Sequence, residues 1–292
     1  MFSDTHFHFN ILPQEEEHCS ILTSMAERGC FFGLDIGTKC GDLSDRQNLA
    51  LNAVNLICDK DIQDKVKSFL FFSAGIWPAV DSIKNRKVEM QSLENQIKNA
   101  LSSENELFRK VCAIGECGLD HHWNPNNADK RNEDDFNDEI FYGEKELFEM
   151  QLELAKKNSL PVIVHSRDAF EGTVESIKNV GYDNGIIHCY SYGIDEAREF
   201  LSRGWYLAFG GGVTYTKKSK MEQMFELLRY VPDDRILLET DAPYLAPVPF
   251  RGSENNPLLI EHTYRFIAEA RGIAVEKLCA LVDENIKRLF KI

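Results

Sequence analysis

The sequence predicts an α/β protein of the (β/α)₈ TIM-barrel class, and three observations carry that prediction. Eight short apolar runs alternate with stretches of helical apolar spacing along the whole chain. Phe69-Leu-Phe-Phe72, Val162-Ile-Val164 and Ile236-Leu-Leu238 are apolar without alternation, as parallel strands covered on both faces must be. The expected strand ends fall near 8, 37, 76, 116, 165, 188, 210 and 241, a repeat of about 33 residues, and eight such repeats suit one barrel of 292 residues. An open doubly wound sheet shares the alternation, but no Gly-x-Gly-x-x-Gly follows the first run.

Taken in order, the expected strands are Phe2–His8, Phe31–Gly37, Phe69–Ile76, Val111–Glu116, Pro161–His165, Gly185–His188, Trp205–Gly210 and Arg235–Thr240. Between them, sets such as Leu147, Met150, Gln151, Leu154 and Ala155, or Met221, Met224, Phe225 and Leu228, mark one face of a helix. A single domain over 1–292 accounts for the pattern, without repeats or low-complexity segments. The exception is an acidic loop insertion around 121–146, where six of the eleven residues Asp129–Glu139 are acidic. Such a run reads as a solvated connection; after a fourth strand it would also sit where a lid could form.

The composition bounds the function. Hydrophobic content of 43% and charged content of 27% suit a soluble enzyme. No stretch approaches the ~18 apolar residues of a membrane span. A net charge of −14 argues against a general nucleic-acid coat, because phosphates want a basic surface, although bound cations can invert the local charge. The eight cysteines include no Cys-x-x-Cys pair, so zinc–thiolate sites are not expected. Reduced thiols, and a His-x-His too near the start to leave room for a secretory signal, give the expectation of a cytoplasmic protein, taken as a monomer without a membrane role.

The chemistry gathers at the strand ends, where barrels carry their active sites. His6 and His8 stand one residue apart, and on a strand residues i and i+2 share a face. Glu116 ends the fourth strand, His165 the fifth, His188 the sixth and Asp241 the eighth. Each alone has a plain structural reading, as a satisfied histidine or a cap. Six such groups on one rim do not. Nitrogen and oxygen donors without sulfur suit zinc, manganese, nickel or iron, and magnesium when phosphate and water complete its shell. Six ligands exceed one open tetrahedral site, so two divalent ions about 4 Å apart fit better. Glu116 is the expected bridge, with His6, His8 and Asp241 on one ion and His165 and His188 on the other. Asp241 can also accept the proton of an attacking water.

These motifs resemble a known family. Asp-Thr-His-Phe-His-Phe, Ile-Gly-Glu-Cys-Gly-Leu-Asp, Pro-Val-Ile-Val-His-Ser-Arg-Asp-Ala, His-Cys-Tyr-Ser, Glu-Thr-Asp-Ala-Pro-Tyr-Leu-Ala-Pro and Arg251-Gly-Ser-Glu-Asn-Asn-Pro257 look like the successive signatures of the TatD metal-dependent deoxyribonucleases, from residue 3 to residue 290. The resemblance implies a metallo-dependent hydrolase barrel with ligands at His6, His8, Glu116, His165, His188 and Asp241. It also implies Mg²⁺- or Mn²⁺-dependent hydrolysis of DNA phosphodiesters, often as a 3′–5′ exonuclease acting on DNA or oligonucleotide 3′ ends, with Zn²⁺ or Ni²⁺ as other occupants. Arg167 and Arg251 are candidate phosphate contacts. The chain departs from the family at Gly75-Ile-Trp77-Pro78, where Gly-x-His-Pro is usual, so Trp77 either stacks on a base or fills space. Cys117, the Tyr190-Ser-Tyr192 loop and the acidic insertion depart as well, all on the substrate side. Two alternatives stay open. An ester or amide hydrolase on the same barrel, such as an aminoacyl-tRNA deacylase, would prefer carboxyl esters to phosphodiesters, and an inactive scaffold would bind no metal.

Overall fold

In a computed structural model, residues 2–12, 15–122 and 132–292 are described. Eight strands form one parallel sheet in sequential order: β1 (Asp4–Phe7), β2 (Gly33–Asp35), β3 (Leu70–Ala74), β4 (Val111–Asp120), β5 (Val162–Arg167), β6 (Gly185–Ile187), β7 (Tyr206–Phe209) and β8 (Ile236–Leu238). Every residue of β1, β2, β4, β6, β7 and β8 is buried, which is why the apolar runs do not alternate. Helices α1 (Glu15–Glu27), α2 (Leu43–Asn55), α3 (Lys60–Phe69), α4 (Val80–Lys84), α5 (Arg86–Leu101), α6 (Asp138–Asn158), α7 (Phe170–Val180), α8 (Ile194–Ser202), α9 (Met221–Tyr230), α10 (Ile260–Arg271) and α11 (Val275–Phe290) fill the connections and the C-terminus. No helix among the described residues is long and apolar enough to cross a membrane.

The ring closes between its first and last strands. Phe7 bridges Ala242 in parallel; the Asp241 amide donates to the His6 carbonyl, and the His8 amide to the Ala242 carbonyl, both at 2.8 Å. Buried Asp4 reinforces the seam. Its carboxylate accepts the Thr240 hydroxyl at 2.6 Å and the Thr240 amide at 3.0 Å.

At the N-terminal ends of the strands, polar groups satisfy one another. Ser3 donates to Asp283, Tyr264 to the Ser3 carbonyl, and the Asn285 amide to the carbonyls of Asp233 and Ile236. Trp205, fully buried, reaches Asp183 through its indole N–H.

Two strands carry an irregularity where a candidate ligand sits. Asp4 and Phe7 pair with Gly33 and Asp35, three steps on β1 against two on β2. Ile114 and Cys117 pair with Val162 and Val164, again three steps against two. An extra residue of this kind turns a side chain to a new direction, here at His6 and Glu116.

The structure corrects three boundaries. β4 continues past Glu116 to Asp120, and β5 past His165 to Arg167. The acidic insertion does not reach 146, because α6 starts at Asp138. Asn137 caps it, accepting the Glu139 and Ile140 amides at 3.0 Å, and Asp138 and Glu139 sit in the first turn, where a helix favours negative charge. A short 3₁₀ turn, Glu133–Asp135, precedes the cap. Residues 123–131 of the insertion lie outside the described residues.

Candidate metal centre

The six candidate ligands meet at the C-terminal mouth of the barrel. Alternation along β1 places His6 and His8 together, with Nε2 of one 3.3 Å from Nε2 of the other. His188 stacks on His6, centroids 4.1 Å apart and planes within 12°. His165 approaches from β5, its Nδ1 3.3 Å from His188 Nε2. Asp241 faces the first pair, its Oδ1 3.6 Å from His6 Nε2 and 3.4 Å from His8 Nε2.

Glu116 lies between the pairs and divides its oxygens. Oε1 is 3.0 Å from His165 Nδ1 and 3.1 Å from His188 Nε2, whereas Oε2 is 3.4 Å from His6 Nε2 and 3.8 Å from His8 Nε2. Its amide donates to the Gly37 carbonyl at 2.7 Å, which holds the β4 irregularity in place. Gly118, two residues on, has φ +148°, and a Cβ there would lie 1.9 Å from the His165 carbonyl oxygen. Only glycine lets β4 and β5 approach this closely beside the site.

Three residues here hold left-handed backbone without being glycine: Asp168 (φ 52°), Cys189 (φ 46°) and Asp241 (φ 55°). Each costs about 1 kcal/mol or more and turns the chain sharply at the end of its strand. At Cys189 the turn is held by its amide, which donates to Glu239 Oε1 at 2.5 Å.

The electrostatics follow from packing titratable groups together out of water. Burial alone would push the Glu116 carboxyl up, but the His188 charge and the contacts from His165, His188 and His6 hold it well below the usual carboxylate range. Burial opposes a charge on His165, yet Asp120 and Glu116 raise it to about 9. His8 is raised against burial by Asp241, and His6 is lowered by burial and by His188.

This donor set fits divalent cations. Among the described residues, nitrogen and oxygen atoms within 4.8 Å of one another form three overlapping groups: His6, His188 and Asp241; His6, His8 and Glu116; and Glu116, His165 and His188. Paired imidazole nitrogens 3.3 Å apart repel unless a proton or a cation lies between them.

A family model described as "TatD related DNase" matches residues 3–291. The chain belongs to the TatD family. It is 34% identical, over the whole of both chains, to the uncharacterized metal-dependent hydrolase YabD of Bacillus subtilis. It is 31% identical, over 78% of this chain and 80% of the relative, to the 3′-5′ ssDNA/RNA exonuclease TatD of a Rahnella species. The crystal structure of YJJV, a TatD homologue from Escherichia coli, superposes with a TM-score of 0.79 at 25% identity, over 100% of this chain and 98% of that one. The chain is therefore a TatD-family metal-dependent hydrolase, and its clustered histidines and carboxylates are the candidate metal-binding groups.

Four further side chains surround the mouth. Trp77 is half-buried and turns its ring edge to His165, centroids 5.7 Å apart. Arg167 ends β5 beside Asp120; burial pushes the Asp120 carboxyl up, but His165, the His122 amide and the Arg167 charge hold it below its usual value. Arg251 is exposed and lies over the Tyr215 ring at 4.5 Å. Tyr244, 44% exposed, faces His8 with centroids 5.9 Å apart.

Sequence reasoning missed two buried carboxylates, Asp120 and Glu239. Asp120 Oδ2 lies 3.0 Å from His165 Nε2, and Glu239 Oε1 lies 3.6 Å from His188 Nδ1. A signal existed: Asp120 lies four residues after Glu116 and Glu239 two before Asp241, spacings that strand alternation puts on one face.

Proposed function

We propose that the protein is a two-cation phosphodiesterase that removes nucleotides from the 3′ ends of DNA, with Mg²⁺ or Mn²⁺ as the working ions. The observation that carries this reading is the division of Glu116, one oxygen toward His165 and His188 and the other toward His6 and His8. A carboxylate placed this way serves as a bridge between two ions. His6, His8 and Asp241 would complete one shell, and His165 and His188 the other. The ions, when bound, supply Lewis acidity toward the phosphate and lower the pKa of a water.

The remaining work falls to the chain. Asp241 is held in its ionised form, against burial, by His8, His6 and His188, so it can take the proton of the attacking water. Arg167 supplies positive charge at the rim for a phosphate, and Arg251 is the second such cation. Trp77 and Tyr244 offer aromatic surface for bases on either side of the centre. With a net charge of −14, recognition falls to a strand end seated in the mouth rather than a coated duplex.

The test is hydrolysis of 3′- and 5′-labelled single strands by the full chain with Mg²⁺ or Mn²⁺, before and after chelation. Carboxyl esters, including aminoacyl-tRNA, serve as the competing substrates. Stepwise shortening from the 3′ end, abolished by chelation and by Glu116→Ala, is the expected result. Cleavage that survives chelation, or preference for the carboxyl esters, overturns the reading.

A further inference from the structure

The two halves of the centre are backed differently. Behind His165 stands Asp120, 2% exposed, whose Oδ2 lies 3.0 Å from Nε2. Behind His188 stands Glu239, fully buried, with Oε1 3.6 Å from Nδ1, a charge contact rather than a hydrogen bond, and with Oε2 lacking a hydrogen-bond partner among the described residues. The Nδ1 atoms of His6, His8 and His188 are all buried without a hydrogen bond among the described residues, and the one at His188 has the Glu239 charge facing it. The donor counts differ too. His6, His8, Asp241 and Glu116 Oε2 make four on one side, whereas His165, His188 and Glu116 Oε1 make three on the other.

We infer that Asp120 and Glu239 are positioning residues for the cation at His165 and His188, and that this cation alone depends on them. The inference rests on the two-cation reading above. A carboxylate on the far nitrogen of a ligating histidine fixes its tautomer and raises its basicity. With a cation bound, Asp120 would hold the remaining proton of His165 on Nε2 and leave Nδ1 as the ligating nitrogen. This accounts for His165 being the one histidine of the four that presents Nδ1 to the centre. Glu239 does two tasks for its neighbour: it anchors the left-handed turn at Cys189 and it places negative charge behind the His188 ring. With three protein donors, the His165–His188 subsite has the weaker hold to lose. Neutralising a backing carboxylate therefore empties it first.

The experiment titrates Mn²⁺ into the chelator-stripped full chain, measuring bound Mn²⁺ per protein by equilibrium dialysis and the paired-ion signal by electron paramagnetic resonance. Wild type takes up two ions and shows the spin-coupled spectrum of a pair. Asp120→Asn keeps the first ion and binds the second about 10–100-fold more weakly, so the coupled spectrum gives way to that of an isolated ion. Asp120→Glu, which retains the charge, recovers part of the loss. Glu239→Gln weakens the same ion, and it makes the comparison independently should Asp120→Asn fail to fold. Unchanged binding of both ions in Asp120→Asn and Glu239→Gln, or equal weakening of the two, overturns the inference while leaving the two-cation reading intact. A wild type that binds one ion overturns that reading itself.

Discussion

The two ends of the barrel are built on opposite principles. At the N-terminal ends of the strands, each polar group described there finds an ordinary partner: Ser3 has Asp283, Asn285 has two carbonyls, and Trp205 has Asp183. At the C-terminal ends, four imidazoles and two carboxylates crowd at distances that leave like atoms facing each other, on strands carrying irregularities and left-handed turns. One end lowers the free energy of the fold. The other is held against local preference by the rest of the structure, which is the mark of a working site.

Substitutions at the two ends should therefore separate activity from stability. The largest expected effect is at the mouth: Glu116→Ala lowers kcat/KM on the order of 10⁴-fold, about 5 kcal/mol of barrier, while thermal unfolding of the metal-free protein changes little. Trp205→Ala is its mirror. It removes a fully buried indole at the quiet end and destabilises by about 3–5 kcal/mol in denaturant titration, with kcat per folded molecule unchanged. A large loss of kcat from Trp205→Ala would collapse the distinction between the ends. Next is Trp77→Ala, expected to raise KM for oligonucleotides about tenfold and to leave KM for a small phosphodiester without a base alone, as removing a stacking surface should. Equal change for both substrates would mark Trp77 as packing.

The smallest effect lies on the seam that joins the two ends. Burial pushes the Asp4 carboxyl up to about 8 from an ordinary 3.8. Because the folded value lies above the unfolded one, its stabilisation is complete below 3.8 and is lost as pH rises through about 8. Asn at this position keeps an acceptor for the His6 and Thr240 amides and offers the Thr240 oxygen a donor, yet cannot ionise. The metal-free Asp4→Asn variant should therefore gain in melting temperature relative to wild type between about pH 5 and about pH 8. A difference that does not move with pH would sink this account of Asp4.

Much of this architecture can be read in the amino-acid order, and the gaps have physical reasons. All eight strands fall where the apolar runs lie, because burial on both faces leaves no other composition open to them. The end of β4 is hidden, since Gly115 and Gly118 interrupt its apolar run where close approach of the backbone excludes side chains. The start of α6 is hidden by its own charge. Its inward face carries Glu144, which accepts the Asp120 amide at 2.9 Å, in the place where an apolar residue would have signalled a helix. The six candidate ligands stand out because each follows closely on one of the apolar runs. Asp120 and Glu239 leave only the fainter trace of even spacing from Glu116 and Asp241, because they touch the histidines rather than the centre.

The seam between β1 and β8 has one more consequence. The groups that close the ring are ligand residues themselves: His6 and His8 give the carbonyl and amide that meet Asp241 and Ala242. Ring closure and site assembly are thus a single event, made by the opposite ends of the chain. A nascent chain on the ribosome carries no hydrolytic centre until its last strand has emerged. Activity then reports completed folding, and a partly folded molecule is inert toward whatever it meets.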